Sequence, residues 1–200
     1  MPRYMILCLV LVGTLIRLNA TAVVAAPTLG PAQLSLSDLP SADVYFVQGT
    51  FDTSANPEAV WHVLSDYQGL THIVGGLESS RVLQRRGNEV QLEQVMKGRF
   101  LVFGRTLVLR LNATESAHRH IDFSLYGKGP FRSYRGSWTI TDLAAGCRVD
   151  YRLKVSRGDL APRFLERNLF RKNAADLLKA LKAEVERRVS VSGMHVVAVK

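Results

Sequence analysis

The sequence predicts an α+β domain: a curved antiparallel β-sheet of about seven strands, with two short helices, gripped by one long C-terminal helix and enclosing a cavity. Seven runs alternate apolar and polar residues, most of them separated by a few turn-forming residues, which is the pattern of an antiparallel meander with one buried face. Apolar residues at helical spacing occur in only two regions, a short stretch after the first strand and a long one near the end. The 200 residues are 47% hydrophobic and 22% charged, which suits a single domain with its own core.

Met1 to Ala25 precedes this domain and is organised like a secretory signal. Arg3 opens it, Met5 to Ile16 is an apolar run, and Val23 and Ala25 are small residues suited to recognition before cleavage after Ala25. The run is shorter than the roughly 20 apolar residues of a spanning helix and is stopped by Arg17, so cleavage is expected rather than permanent anchoring. Export across an inner membrane to the periplasm follows as an expectation. Residues 26–43 read as an extended leader, with prolines, Gly30 and no periodic apolar face.

Val44 to Phe51 is the first strand. Asn56-Pro57-Glu58 then opens a helix with proline in its first turn, and Ala59, Val60, Val63 and Leu64 recur at helical spacing. A second short helix carries Leu70, Ile73 and Val74 and stops at Gly75-Gly76. Strands follow at Ser79–Arg86, Glu89–Lys97, Arg105–Thr114, Arg119–Leu125, Phe131–Thr141 and Cys147–Val155, several divided by glycine turns such as Arg86-Gly87-Asn88 and Ala144-Ala145-Gly146. In the last strand Cys147, Val149, Tyr151, Leu153 and Val155 alternate with Arg148, Asp150, Arg152 and Lys154, so one face is apolar and needs a cover. The helix opened by Ala161-Pro162 supplies it, through a stripe of Leu165, Leu169, Leu177, Leu178, Leu181 and Val185. The domain spans 44–188, and 189–200 is an apolar, β-branched tail whose packing the pattern leaves open.

Two cysteines exclude a disulfide-stapled miniprotein and the four-ligand zinc spacings, and the lone Cys147 reads as a small buried hydrophobe. The formal net charge of +9 calls for an anionic partner, with nucleic acid and a lipid surface as the two candidates. Much of the excess lies on the long helix, where Arg163 to Arg188 holds eight basic and four acidic residues. Aromatic interleaving is missing and the address is exported, so no nucleic-acid partner is expected; the face is a solvated one that would orient the domain at an anionic membrane.

Catalytic patterns are weak. His118 and His120 have the spacing of a metal pair but lack a third ligand and fall at a predicted hairpin. His62 and His72 lie near Asp66 and Tyr67, where an acid/base pair and a solvated helix face with an Asp66 cap read equally well. Arg81 and Glu93 on neighbouring strands form a surface pair by default. Nucleophile-elbow, phosphate-loop and zincin motifs are absent, so no catalytic residue, metal or cofactor is assigned. The segment Lys97 to Arg105, Lys-Gly-Arg-Phe-Leu-Val-Phe-Gly-Arg, reads in two ways: a glycine-hinged lip that touches membrane during ligand exchange, or two strand ends joined by a tight turn with the aromatics in the core.

The order of strand, two short helices, six strands and long helix, together with Pro57-Glu58-Ala59-Val60-Trp61-His62-Val63-Leu64-Ser65-Asp66-Tyr67, Ser79-Ser80-Arg81-Val82-Leu83, Leu92-Glu93-Gln94 and Gly136-Ser137-Trp138, resembles the helix-grip fold of START-like and polyketide cyclase/dehydrase proteins. The chain is most similar to the branch of coenzyme Q-binding START-domain proteins, over about Val44 to Arg188. Ile73-Val74-Gly75-Gly76 departs from the proline-containing turn usual in relatives and bears on the cavity entrance. The resemblance implies a cavity, and alternation nominates its lining as apolar with polar tips at Tyr134, Tyr151, Trp138 and Gln94. Trp61, Tyr67, Phe100, Phe103, Leu109, Phe123 and Leu169 complete the candidate ligand-binding set. Two functions are in play: an exported binder or carrier of an isoprenoid quinone or other lipid acting near a membrane, and a cyclase/dehydrase-type enzyme acting on a hydrophobic substrate.

Overall fold

The computed structural model describes residues 33–38, 44–97, 106–156 and 163–197, with side chains over 44–97, 106–156 and 170–191. The elements run β1 (Gln33–Asp38), β2 (Val44–Thr53), α1 (Pro57–Leu64), a 3-10 turn (Gly69–His72), β3 (Leu77–Arg86), β4 (Glu89–Met96), β5 (Leu107–Ser116), β6 (His120–Leu125), β7 (Ser133–Asp142), β8 (Cys147–Ser156) and α2 (Arg163–Val197). All strands join one antiparallel sheet in the order β1-β2-β8-β7-β6-β5-β4-β3. This is the expected helix-grip architecture: β3 to β8 form a meander, and β8 returns to pair with β2 so that the sheet curls around α2.

The structure adds to two of the readings. The 26–43 leader is not merely extended, because Gln33–Asp38 is a strand paired with β2 from Gln33↔Thr50 to Asp38↔Tyr45. Leu34-Ser35-Leu36-Ser37 does alternate, but over too few residues to announce a strand; the open edge of β2, with a row of ladder groups to satisfy, is what recruits it. The helix also continues past Arg188 through the β-branched tail to Val197. Valine loses only a little helix propensity, and extending an established helix costs far less than starting one. Ser190 settles into the helix by donating its hydroxyl to the Glu186 carbonyl at 2.9 Å.

Local rules explain the remaining boundaries. Asn56 Oδ1 accepts the Ala59 amide at 2.8 Å and caps α1, with Pro57 in the first turn where no amide is needed. Asp66 Oδ1 accepts the Gly69 amide at 2.9 Å just ahead of the 3-10 turn, whose N-cap position is Gln68. The inward series of β8, Cys147 to Val155, is buried at every alternate position. It meets Val47 and Phe51 of β2, Val60 and Val63 of α1, and Leu178, Leu181 and Val185 of α2 in one core. Burial pushes the Cys147 thiol up to about 11, in keeping with an inert packed residue.

Polar clamps fasten α2 to the sheet and to the loop after α1. Lys182 Nζ donates to the Asp52 carbonyl at 2.7 Å, and the Asp52 carboxylate is held by the Arg148 guanidinium at 2.7 and 2.9 Å. Arg188 donates to Glu184 and reaches Asp66 at 3.4 Å. Hydrogen bonds from Arg187, and then from Arg188, hold the Glu184 carboxyl down to about 2 against its ordinary 4.5. The unfolded chain therefore binds the extra proton first, so Glu184 contributes stability above about pH 4.5 and loses it as pH falls toward about 2. Glu184→Gln is expected to lower the urea midpoint at pH 7, and the difference from wild type should shrink to nothing near pH 2. A difference independent of pH would remove Glu184 from the acid response.

Candidate functional site

The inward face is not sealed evenly. Val47, Val149 and Val155 are fully buried, whereas Phe123, Leu125, Phe131, Tyr134, Trp138 and Phe170 pack against the core yet remain only partly buried. These half-buried side chains form a wall between the sheet and α2. Rings follow one another from Tyr45 to Phe170 (centroids 5.6 Å apart), Phe131 (5.9 Å), Tyr134 (5.6 Å), Phe123 (6.0 Å), Tyr151 (6.4 Å) and Trp138 (4.3 Å). Offset and tilted pairs at such separations are favourable in themselves and together make a continuous apolar, aromatic surface.

Strand register explains how the rings fit. Tyr151 stands between Gly49 of β2 and Trp138 of β7, and Phe123 stands opposite Gly136. A Cβ at Gly136 would collide with the Arg152 carbonyl oxygen and come 2.5 Å from Phe123 Cζ, so the ring lies across bare backbone.

The polar feature of the wall is a pair of phenols. The Tyr134 and Tyr151 phenols lie close enough within the wall to act on one another electrostatically. Burial pushes the Tyr134 hydroxyl up to about 12 and that of Tyr151 well above its ordinary range. Both phenols are neutral donors at physiological pH.

Of the candidate residues, Phe123, Tyr134, Trp138 and Tyr151 come together in this wall. Leu109 is buried beside Gln94, its partner across β4 and β5, and the Gln94 amide nitrogen donates to Ser80 Oγ at 3.3 Å. Trp61 and Tyr67 are buried on the α1 side, where Trp61 meets His118 edge-on at 5.9 Å. Phe100 and Phe103, with the rest of the lip at 98–105, lie outside the described residues, as does the side chain of Leu169. Tyr45, Phe131 and Phe170 were not among the candidates. Tyr45 shares the parity of Val47 and Phe51, and Phe170 precedes Ala174 and Leu177 at helical spacing, so both carried a signal; Phe131 is joined only through the loop into β7.

Tyr67 donates to Glu115 Oε1 at 2.8 Å, and Arg85 grips the same carboxylate at 2.7 and 3.1 Å. Burial, then this bond, pushes the Tyr67 phenol far up, so it serves as a fixed donor. Tyr67→Phe is expected to cost about 1.5–3 kcal/mol in chemical denaturation, as for other bonds to charged groups, with the aromatic circular dichroism of the wall preserved. A cost below about 0.5 kcal/mol would show that solvent replaces the bond.

The other polar candidates take structural positions. Arg81 and Arg110 both hold Glu93 on the outer face, the surface pairing expected by default. His120 faces Thr139 and Asp122, His118 occupies the hairpin with φ of 60°, and His62 is exposed near Glu58. Among the described residues no group of three His, Cys, Asp or Glu side chains is arranged to hold a metal ion.

Solved structures share this architecture. The chain resembles the Zhui aromatase/cyclase from Streptomyces sp. R1128, with a TM-score of 0.63 and 19% identity over 73% of this chain and 96% of that one. It resembles equally the STAR-related lipid transfer protein fragment from Xanthomonas axonopodis, with a TM-score of 0.63 and 17% identity over 79% and 97%. A START superfamily protein from Mycobacterium smegmatis has a TM-score of 0.60 at 18% identity over 71% and 97%. Comparison with curated protein sequences gives no match. At these identities the structures establish the fold alone, whereas a sequence-family model described as polyketide cyclase/dehydrase and lipid transport matches residues 53–182. With the helix-grip sheet, its long helix and more than half of the sequence accounted for, the chain belongs to the polyketide cyclase/dehydrase and lipid transport family.

Proposed function

We propose that this protein binds and carries a hydrophobic molecule with a small hydrogen-bond-accepting head, working beside a membrane in an exported compartment. The observation that supports it is the wall of seven rings that carries the phenols of Tyr134 and Tyr151. An isoprenoid quinone or a related lipid matches such a wall: its carbonyl would accept the Tyr134 proton while an unsaturated tail lay along Phe123, Phe131 and Phe170. Residues 1–25 would direct export and be removed, and the basic outer face of α2 would orient the domain at an anionic leaflet. Among the described residues no helix is long and apolar enough to cross a membrane, so attachment in this reading is peripheral.

The alternative is a cyclase/dehydrase-type enzyme in the same site, favoured by the similarity to an aromatase/cyclase. Such chemistry needs a base positioned against the substrate, and among the described residues the only titratable group acting on either phenol is the other phenol. That favours carriage. Native mass spectrometry and lipid extraction of the protein purified from its own host test the choice. A stoichiometric hydrophobic passenger, depleted in Tyr134→Phe and Trp138→Ala proteins that remain folded, is expected. An empty protein that converts a ketide chain to a cyclic product would replace the carrier reading with the enzymatic one.

A further inference from the structure

On the opposite face of the same strands lies a second concavity. It is an open groove of about 370 Å³ over β5, β6, β7, β8 and β2, behind the aromatic wall. Its floor is two cross-strand rows. Asn112, Ser124, Arg135, Lys154 and Phe46 are successive partners in one, and Thr114, Asp122, Ser137, Arg152 and Gln48 in the next. Arg135, Arg152 and Lys154 thus converge on one small area, and Ser124 and Ser137 offer hydroxyls between them.

The charge arrangement is anomalous for this protein. Four other strand arginines are matched to carboxylates: Arg81 and Arg110 to Glu93, Arg85 to Glu115, and Arg148 to Asp52. The side chains of Arg135, Arg152 and Lys154 form no ion pair or hydrogen bond with a described residue. Arg135 and Lys154 are direct cross-strand partners, an arrangement in which like charges repel and weaken the sheet. The carboxylate of the groove, Asp122, is engaged 3.0 Å from His120 Nε2. A bound anion would remove the repulsion, and arginine forks with serine hydroxyls suit a tetrahedral oxyanion.

We propose that this groove is a binding site for a phosphate ester, with Arg135, Arg152 and Lys154 holding the phosphate and Phe46 flanking the organic part. It is separate from the interior ligand site and does not depend on it. A soluble phosphomonoester and the headgroup of an anionic lipid present the same chemistry, so the test includes both.

Thermal unfolding of the full chain is followed against inorganic phosphate and glycerol 3-phosphate at constant ionic strength. In parallel, flotation is measured with phosphatidylcholine vesicles with and without phosphatidylglycerol. Three proteins are compared: wild type, Arg135→Gln/Lys154→Gln, and the charge-matched control Arg86→Gln/Lys128→Gln, two exposed positions outside the groove lining and off α2. The wild type and the control should show a saturable rise in midpoint, and the groove variant at least a tenfold weaker one. Without ligand the groove variant should be as stable as wild type or more so, because a repulsive pair has been removed. If flotation also falls only in the groove variant, the phosphate is that of a lipid; if the soluble ester alone discriminates, it is a free metabolite. Equal loss in both variants, or no saturable response in the wild type to either the soluble esters or the vesicles, overturns the proposal.

Discussion

Leu178→Ala is expected to lower the unfolding free energy by about 2–5 kcal/mol, the range for deleting a fully enclosed leucine whose surroundings cannot collapse. Leu178 has 0% of its surface exposed and stands on α2 between Ala174 and Leu181, whose side chains are also buried. A cavity at this position loosens the grip itself, since α2 packs on β2 and shares one core with the inward residues of β8. The measurement is a urea or guanidinium titration read by both tryptophan fluorescence and far-ultraviolet circular dichroism. A cost below about 1 kcal/mol would mean that α2 is held by its polar clamps rather than by burial.

Gly136→Ala should cost about 1–3 kcal/mol although it adds a single methyl group, because overpacking forces a backbone or a ring to move. The added carbon meets the Arg152 carbonyl and the Phe123 ring, and the flexible partner of the two is the ring. Phe123 should therefore be displaced toward Tyr134 and Tyr151, altering the near-ultraviolet signal and reducing the yield of any co-purified hydrophobic passenger. Phe123→Leu in the same chain should recover part of the loss, giving a positive coupling in a double-mutant cycle. A Gly136→Ala protein with wild-type stability and an unchanged aromatic spectrum would show that the ring does not rest on that glycine.

Strand parity was legible because each strand has one buried face. Cys147, Val149, Tyr151, Leu153 and Val155 share the core, and Leu107, Leu109 and Leu111 are buried as alternation requires. The first short helix was legible from its punctuation, the Asn56 cap with Pro57; the second is only a 3-10 turn, Gly69–His72, that ends before Val74 and Gly75-Gly76. Strand β1 was not, since Leu34 and Leu36 alone cannot separate a strand from an extended leader. Nor was the end of α2, where β-branched residues resemble a strand until the preceding helix carries them on.

The site divides along the same line. Periodicity in the chain is a local property and sufficed to decide which residues face inward, hence Phe123, Tyr134, Trp138 and Tyr151. Which of those faces stays partly open, and which side chains from distant segments join them, depends on strand order and curvature. Tyr45 and Phe170 meet at 5.6 Å although 125 residues separate them, because β8 returns to β2 and α2 lies across the join. The outer groove follows the same logic. Arg135, Arg152 and Lys154 are ordinary solvent-side residues in their own strands, and only antiparallel registration puts three cations beside the single carboxylate of the groove lining, Asp122.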